Sequence, residues 1–346
     1  MKYFFLYIFF LILTFPLFYF VFKFGNPDKI AHDFYHYYPL YIDFDFIKSP
    51  PPFNMRCIGA FFIYLIHQTI SYPDTETVFQ YNPFGFKESV WFSAVFFNYL
   101  ILAATALLIF LCYRKFFSQS NQKNTVFGLM AALLFYFGYG ILFFDLMPIT
   151  EAFSVFIFSL ALYLLQHRSK FIWLTLPFII FQREFLLVLL MIYVILEVKR
   201  FKIRFTGLFV IISILLLAFY VLLRNYYFLN PYLQHQTHIN NIKVQMFHLG
   251  TTFSTYLKQL LIALNLFIVY IGVFFYNRFN GNNRNYNDLK MVLSMLLSSL
   301  ITGLAGALGT NVGRLFFLCT PLLVCYLVKE IEIVLNQNNS RVINTN

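Results

Sequence analysis

Residues 171–197 read FIWLTLPFIIFQREFLLVLLMIYVILE. The run is apolar enough for hydrocarbon, yet a proline and the Gln182-Arg183-Glu184 triplet stand near its middle. HRSK precedes it and EVKRFKIR follows it. Lysine and arginine concentrate in cytoplasmic loops, so both flanks belong on one side of the membrane. The segment must therefore return to the side on which it began. Two halves of roughly 13 residues reach about 20 Å each at 1.5 Å per residue. They are expected to cross as short halves and to meet within the membrane near Gln182, Arg183 and Glu184.

Composition points the same way. Of 346 residues, 60% are hydrophobic and 11% charged, and the mean hydropathy is +0.70. Soluble domains carry about 25% charged residues, so this chain reads as an integral membrane protein. The net charge of +11 then reports loop orientation, and nucleic acid is not a partner. Cys57, Cys112, Cys319 and Cys325 show no metal-ligand spacing and read as small buried hydrophobes. The run from Tyr3 to Phe22 lacks a small-residue cleavage site and reads as a retained membrane helix.

Spanning helices need about 20 apolar residues. Candidates are 3–23, 89–113, 125–145, 149–166, 205–223, 252–276, 289–308 and 313–329. The stretch 55–71 is short and carries Arg56 and His67. If it does not span, fifteen lysines and arginines fall inside and nine outside; if it spans, the count becomes six against eighteen. Positive-inside bias selects the first arrangement. The expectation is an all-α, polytopic transmembrane helical bundle of about ten membrane segments with both termini cytoplasmic. In it 55–71 lies as a helix on the outer membrane face. Residues 1–335 form one membrane domain with outer loops at 24–88 and 224–251. The Asn-rich 336–346 reads as a disordered cytoplasmic tail.

Small inner loops leave no room for a soluble catalytic domain, and no Walker loop, GxSxG or HExxH occurs. Chemistry is expected at the outer face or within the membrane. Nine of the fourteen acids fall outside, among them Asp33, Asp43, Asp45, Asp145 and Glu151. Asp43-Phe44-Asp45 has the DxD form that binds metal and nucleotide sugars. Asp145 and Glu151 flank Pro148 between two spanning segments. Arg183 and Glu184 at membrane depth must pair or line a polar cavity. Arg314, in GTNVGRLFFLCTP, suits a phosphate through its planar fork. His235, His238 and His248 in the late outer loop lack a nearby acid or cysteine for zinc.

An outer loop with an early acid and tyrosines (Asp33, Tyr37, Tyr38) is followed by SPPPFNMR. A helix ending CYRKF, a helix ending FFD, ITEAFSVFIFSLALYLL, and a broken segment with QRE come next. Over roughly residues 1–200 this order resembles the GT-C superfamily of membrane glycosyltransferases. That group includes protein mannosyltransferases and lipid A aminoarabinose transferases. The resemblance weakens afterwards, apart from NVGRLFFLCTP. One Asp stands where the mannosyltransferases have Asp-Glu, and Pro50-Pro51-Pro52-Phe53 replaces their His-Pro-Pro-Leu.

The resemblance implies a GT-C-like fold with juxtamembrane helices in the first outer loop. It implies transfer from a polyprenyl-phosphate-linked sugar to a hydroxyl of a glycan, lipid or protein acceptor. Asp33 would be the general base, with Tyr37 and Tyr38 contacting the sugar. Asp145 with Glu151 would match the second acidic position and hold a divalent metal, Mg or Mn, where one is used. From charge and predicted depth alone, Arg183 and Arg314 are the candidate cations for the departing phosphate, with Glu184 beside them in substrate binding; the location would be a bacterial inner membrane with the active side periplasmic or extracellular. The rival readings are an O-antigen polymerase or ligase type, which relies on late-loop arginines and histidines, and a transporter or flippase of lipid-linked glycans, for which a broken mid-membrane helix is also a signature. A cysteine introduced as Thr75→Cys is expected to react with an impermeant maleimide on intact cells. Labelling only after lysis would put 72–88 inside and remove the ten-segment arrangement.

Overall fold

A chain in hydrocarbon can satisfy its backbone only within itself, and long runs of Phe, Leu and Ile do so as helix. A computed structural model describes residues 2–25, 27–49, 53–70, 72, 85–118, 124–138, 141, 149–227, 261, 264–280, 286–305 and 312–343. For 27–33, 225–227, 303–305, 312–314 and 337–343 it describes the backbone alone. All regular structure among these residues is helical.

The helices are α1 (Lys2–Phe24), α2 (Pro27–Ile42), α3 (Cys57–Thr69), α4 (Glu88–Cys112, prolonged by a π-helical turn Tyr113–Phe117) and α5 (Asn124–Tyr136). There follow α6 (Glu151–Gln166), α7 (Ile172–Gln182), α8 (Glu184–Leu196), α9 (Val198–Phe201) and α10 (Ile203–Tyr227). The last are α11 (Asn265–Phe279), α12 (Asn287–Ala305), α13 (Val312–Leu318) and α14 (Thr320–Ile343). Three are long and apolar enough to cross a membrane: α1, α4 with its π-helical turn, and α10. This is compatible with a membrane protein. The others that are apolar, including α3 and α5 through α8, are shorter.

Helix α4 is the axis of the bundle, with α1, α3, α5 and α6 packed around it. In the best window of α4, 61% of residues are buried, against 22% in α1 and in α10. Those two outer helices expose Phe4, Phe5, Ile12, Ile211, Leu215 and Phe219, the composition of a lipid-facing wall. Helices α1 and α4 run antiparallel. Tyr99 Oη donates to Leu11 O at 2.8 Å, Tyr7 Oη donates to Leu100 O at 3.2 Å, and the Phe22 and Phe92 rings lie 5.5 Å apart. We term the end carrying Phe24 and Glu88 the upper end. Lys2 and Lys23 bracket α1 over roughly 32 Å at 1.5 Å per residue, close to a hydrocarbon core of about 30 Å. On that ruler the upper boundary lies near Phe92.

The 171–197 segment is a hairpin of two half-helices. Its break falls at Arg183, which is extended (φ −160°, ψ 108°), while Pro177 is held inside α7. At the tip, Gln182 Nε2 donates to Thr150 O at 2.8 Å, where α6 begins. At the base, Gln166 Nε2 donates to Tyr193 Oη at 3.2 Å and Arg168 Nη2 to Arg200 O at 2.9 Å. So α7 rises beside α6 and α8 descends. At the lower end, buried Glu332 on α14 accepts from Tyr113 Oη (2.7 Å) and Ser118 Oγ (3.3 Å). Lys329 pairs with Asp288 at 2.5 Å. Helix α14 itself runs on to Ile343, past Leu335 where the Asn-rich composition reads as tail; its polar residues continue the helix.

Gly25 closes α1 against α4. A Cβ there would stand 2.3 Å from Val21 O and 2.6 Å from the Trp91 ring. Gly25→Ala is expected to lower stability by about 1–3 kcal/mol, the usual cost of overpacking. Gly207 lies inside α10, and a Cβ added there would meet nothing within 4 Å. Gly207→Ala should therefore gain about 0.4–1 kcal/mol. Thermal unfolding in detergent reads both, and equal effects would show that the contact with Trp91 does not govern α1.

Candidate polar site beneath the upper end

Three helices begin at one place. The first residues of α3, α6 and α8 are Cys57, Glu151 and Glu184, and buried contacts join their starts. Tyr37 of α2 is fully buried, and its hydroxyl accepts from Thr150 Oγ1 at 3.0 Å and from Arg56 Nη1 at 3.3 Å. Gln182 Nε2 binds Thr150 O and also Ser154 Oγ at 3.2 Å. Arg183 forms an ion pair with Glu151, which is fully buried. Tyr220 of α10 donates to Glu184 Oε2 at 3.5 Å. Glu184 also lies in the field of Arg56, Arg183 and Arg224.

Depth follows from α4. Asn98 Nδ2 donates to Ile149 O at 2.9 Å, and Asn98 lies six residues below Phe92, roughly 10 Å. The site thus sits about a third of the way into the span that α1 measures. Among the described side chains, three arginines, Arg56, Arg183 and Arg224, lie around two carboxylates, Glu151 and Glu184. Each helix start adds the positive end of its dipole, equivalent to roughly half a charge. Arg56 Nε and Gln182 Oε1 are buried and have no hydrogen-bond partner among the described residues. Positive charge of this kind at converging helix N-termini suits an anion.

The structure brings Tyr37, Glu151, Arg183 and Glu184 together. Tyr38 stands apart from them: its hydroxyl accepts from Lys87 N at 2.9 Å, and its ring lies 4.8 Å from that of Phe86. Asp33 lies in α2 one turn before Tyr37, with its backbone alone described; the same holds for Arg314 in α13. Asp145 and His235, His238 and His248 lie outside the described residues. Asp45, the second acid of the Asp43-Phe44-Asp45 motif, closes a turn. Its Oδ1 accepts from Ile47 N (2.9 Å) and Lys48 N (3.2 Å), its Oδ2 pairs with Lys48, and these backbone donors hold its carboxyl below the usual range.

Among the described residues no three His, Cys, Asp or Glu side chains gather as metal ligands. Glu151 engages Arg183 with one oxygen. Its expected metal partner, Asp145, is not among the described residues. Arg56, Thr150, Gln182, Tyr220 and Arg224 complete the site although sequence reasoning does not single them out as site residues. Arg56 carries a usable signal, a charge inside an apolar run, the same signal that marks Arg183.

Removing one partner of a buried ion pair strands the other charge, at a cost of about 3–5 kcal/mol. Glu151→Gln is expected to lose stability on that scale, and Glu151→Leu combined with Arg183→Met to lose much less. Thermal unfolding of the purified variants measures both; a double variant as unstable as Glu151→Gln would mean that the pair is not what holds the hairpin tip. No protein-family model, no curated protein and no solved structure matches the chain.

Proposed function

We propose that the chain is a membrane glycosyltransferase that moves a sugar from a polyprenyl-phosphate donor to an acceptor hydroxyl. One observation carries the reading: a buried site with excess positive charge and three helix N-termini, roughly 10 Å below the upper end at 1.5 Å per residue, beside the helix that bears Asp33. The order of elements supports a GT-C-like arrangement with about ten membrane segments. The lysine and arginine distribution supports an upper end facing outward from a bacterial inner membrane.

In this scheme the acceptor oxygen attacks the anomeric carbon. Its proton passes to Asp33, and the bond from the anomeric carbon to the phosphate oxygen breaks. The leaving phosphate gains negative charge as it departs, and fixed positive groups stabilise it. Arg183 is engaged by Glu151, so Arg56 is the better cation for this role, with Arg314 as its counterpart from α13. Tyr37 orients Arg56 and approaches the sugar, while Tyr38 serves to hold α2 to the Lys87 backbone.

The two half-helices that meet at Arg183 also suit a transporter of lipid-linked glycans. Purified protein in liposomes, given a polyprenyl-phosphate sugar and an acceptor, separates the readings. Asp33→Asn is expected to lower turnover by about 10²–10⁴-fold, the usual range for loss of a general base. Arg56→Met should lower it by about 10²–10³-fold, as for a lost transition-state donor. Full turnover in Asp33→Asn would assign the base elsewhere. Absence of transfer from every donor, with protein-dependent movement of the lipid across the bilayer, would establish the transporter.

A further inference from the structure

The turn between α2 and α3 holds a hydrophobic side chain in the open. Ile47 is 96% exposed, beside exposed Phe46 and Lys48. Exposure of a single apolar residue is ordinary, but this one is presented by a built turn. Asp45 Oδ1 takes the backbone N–H groups of Ile47 and Lys48, an Asx-type closure. Phe44 adopts a left-handed conformation (φ 53°), uncommon away from glycine. Its ring lies 5.3 Å from Phe61 and 5.8 Å from Tyr64 of α3. Ser49 Oγ donates to His36 O at 2.7 Å, and Asn54 Nδ2 donates to Phe46 O at 3.4 Å. Both ends of the turn are thereby tied down.

The surface is continuous with α3, which exposes Phe61, Phe62 and Leu65. Phe62 also fixes the depth of α3, because its ring lies 5.9 Å from Phe97 of α4. Phe97 is five residues below Phe92, roughly 8 Å beneath the upper boundary. Helices that lie in a membrane interface bury their apolar face about 5–10 Å. Lys48 supplies the matching charge: its side chain, one residue from Ile47, is 71% exposed, and its ammonium, which meets Asp45 Oδ2 at 3.3 Å, complements lipid phosphate at the headgroup level with its open side.

We infer that Phe46, Ile47 and the Phe61–Leu65 face of α3 form an interfacial anchor that inserts into the upper leaflet, with Lys48 on lipid phosphates. Its occupant is the headgroup and acyl boundary of the same bilayer that holds α1, α4 and α10. The anchor sets the height of α2 and α3 over the hairpin tip. It stands on the packing of this loop and not on glycosyl transfer, so the two can fail separately.

The test is a nitroxide attached at Ile47→Cys in the full chain carrying Cys57→Ser, reconstituted in phosphatidylethanolamine and phosphatidylglycerol liposomes. Power saturation compares collisions with oxygen, which partitions into lipid, and with a water-soluble nickel chelate. Oxygen collisions are expected to exceed nickel collisions at 47, and the ratio should fall at Lys48→Cys. Nickel-dominated relaxation at 47 would place the turn in water and overturn the anchor. Low collision rates with both would mean that protein covers the turn, which overturns it equally. Adding Asp45→Ala should narrow the 47 spectrum and raise its nickel collisions, with an unchanged size-exclusion profile showing that the bundle remains folded. An unaltered spectrum would show that Asp45 does not aim the finger.

Discussion

A charge buried in an apolar helix bundle has to be answered by another group, and the Arg183–Glu151 pair is where this chain meets that demand. Insertion of an unpaired arginine at helix mid-depth costs roughly 2.5–3.5 kcal/mol even by the mildest scales. Pairing it with Glu151 brings the break between α7 and α8 to the start of α6. Gln182 then satisfies the Thr150 carbonyl, and Thr150 in turn reaches Tyr37. One electrostatic requirement thus positions the hairpin tip, the first turn of α6 and the juxtamembrane helix α2 together.

The same pairing explains why the site retains positive charge. Two acids stand in the first turns of α6 and α8, where helix dipoles favour them. They neutralise two of three arginines, and the helix starts add further positive potential. Among the described residues that surplus falls on Arg56, which Tyr37 meets and which lies in the field of Glu184.

How much of this is legible in the sequence depends on the kind of signal. Gln182, Arg183 and Glu184 interrupt an apolar run, and the break lies at Arg183 because a polar triplet in hydrocarbon has few placements. Membership of the site is less legible, because its partners lie far apart in the chain: Tyr37 meets Arg56 across 19 residues and Thr150 across 113. Helices greasy on every side carry no periodic stripe that would say which faces meet. Adjacency groups Tyr38 with Tyr37, but successive residues of a helix with 3.6 per turn are about 100° apart, and the two hydroxyls end on different elements. Asp45 has the spacing of a metal motif, and spacing alone does not reveal that its carboxylate also closes a turn. The Asn-rich end reads as irregular by composition, and α14 nevertheless carries on into it as far as Ile343.

The hairpin also solves a problem of length. Continued as one helix, 171–197 would extend roughly 40 Å at 1.5 Å per residue. It would leave Arg183 near the centre of a core about 30 Å thick, the costliest depth. Folding back at Arg183 brings both ends of the segment to the lower side, where Arg168 caps the Arg200 carbonyl. It also lifts the tip to the level of Asn98, within reach of the upper boundary. The cost is a pair of helix ends buried in the bundle, the free carbonyls of α7 and the free N–H groups of α8. Gln182 and Glu184 stand at those ends, Gln182 bonded through Nε2 to Thr150 O of α6 and Glu184 in the first turn of α8. The polar character of the site is therefore a consequence of turning the chain inside an apolar bundle.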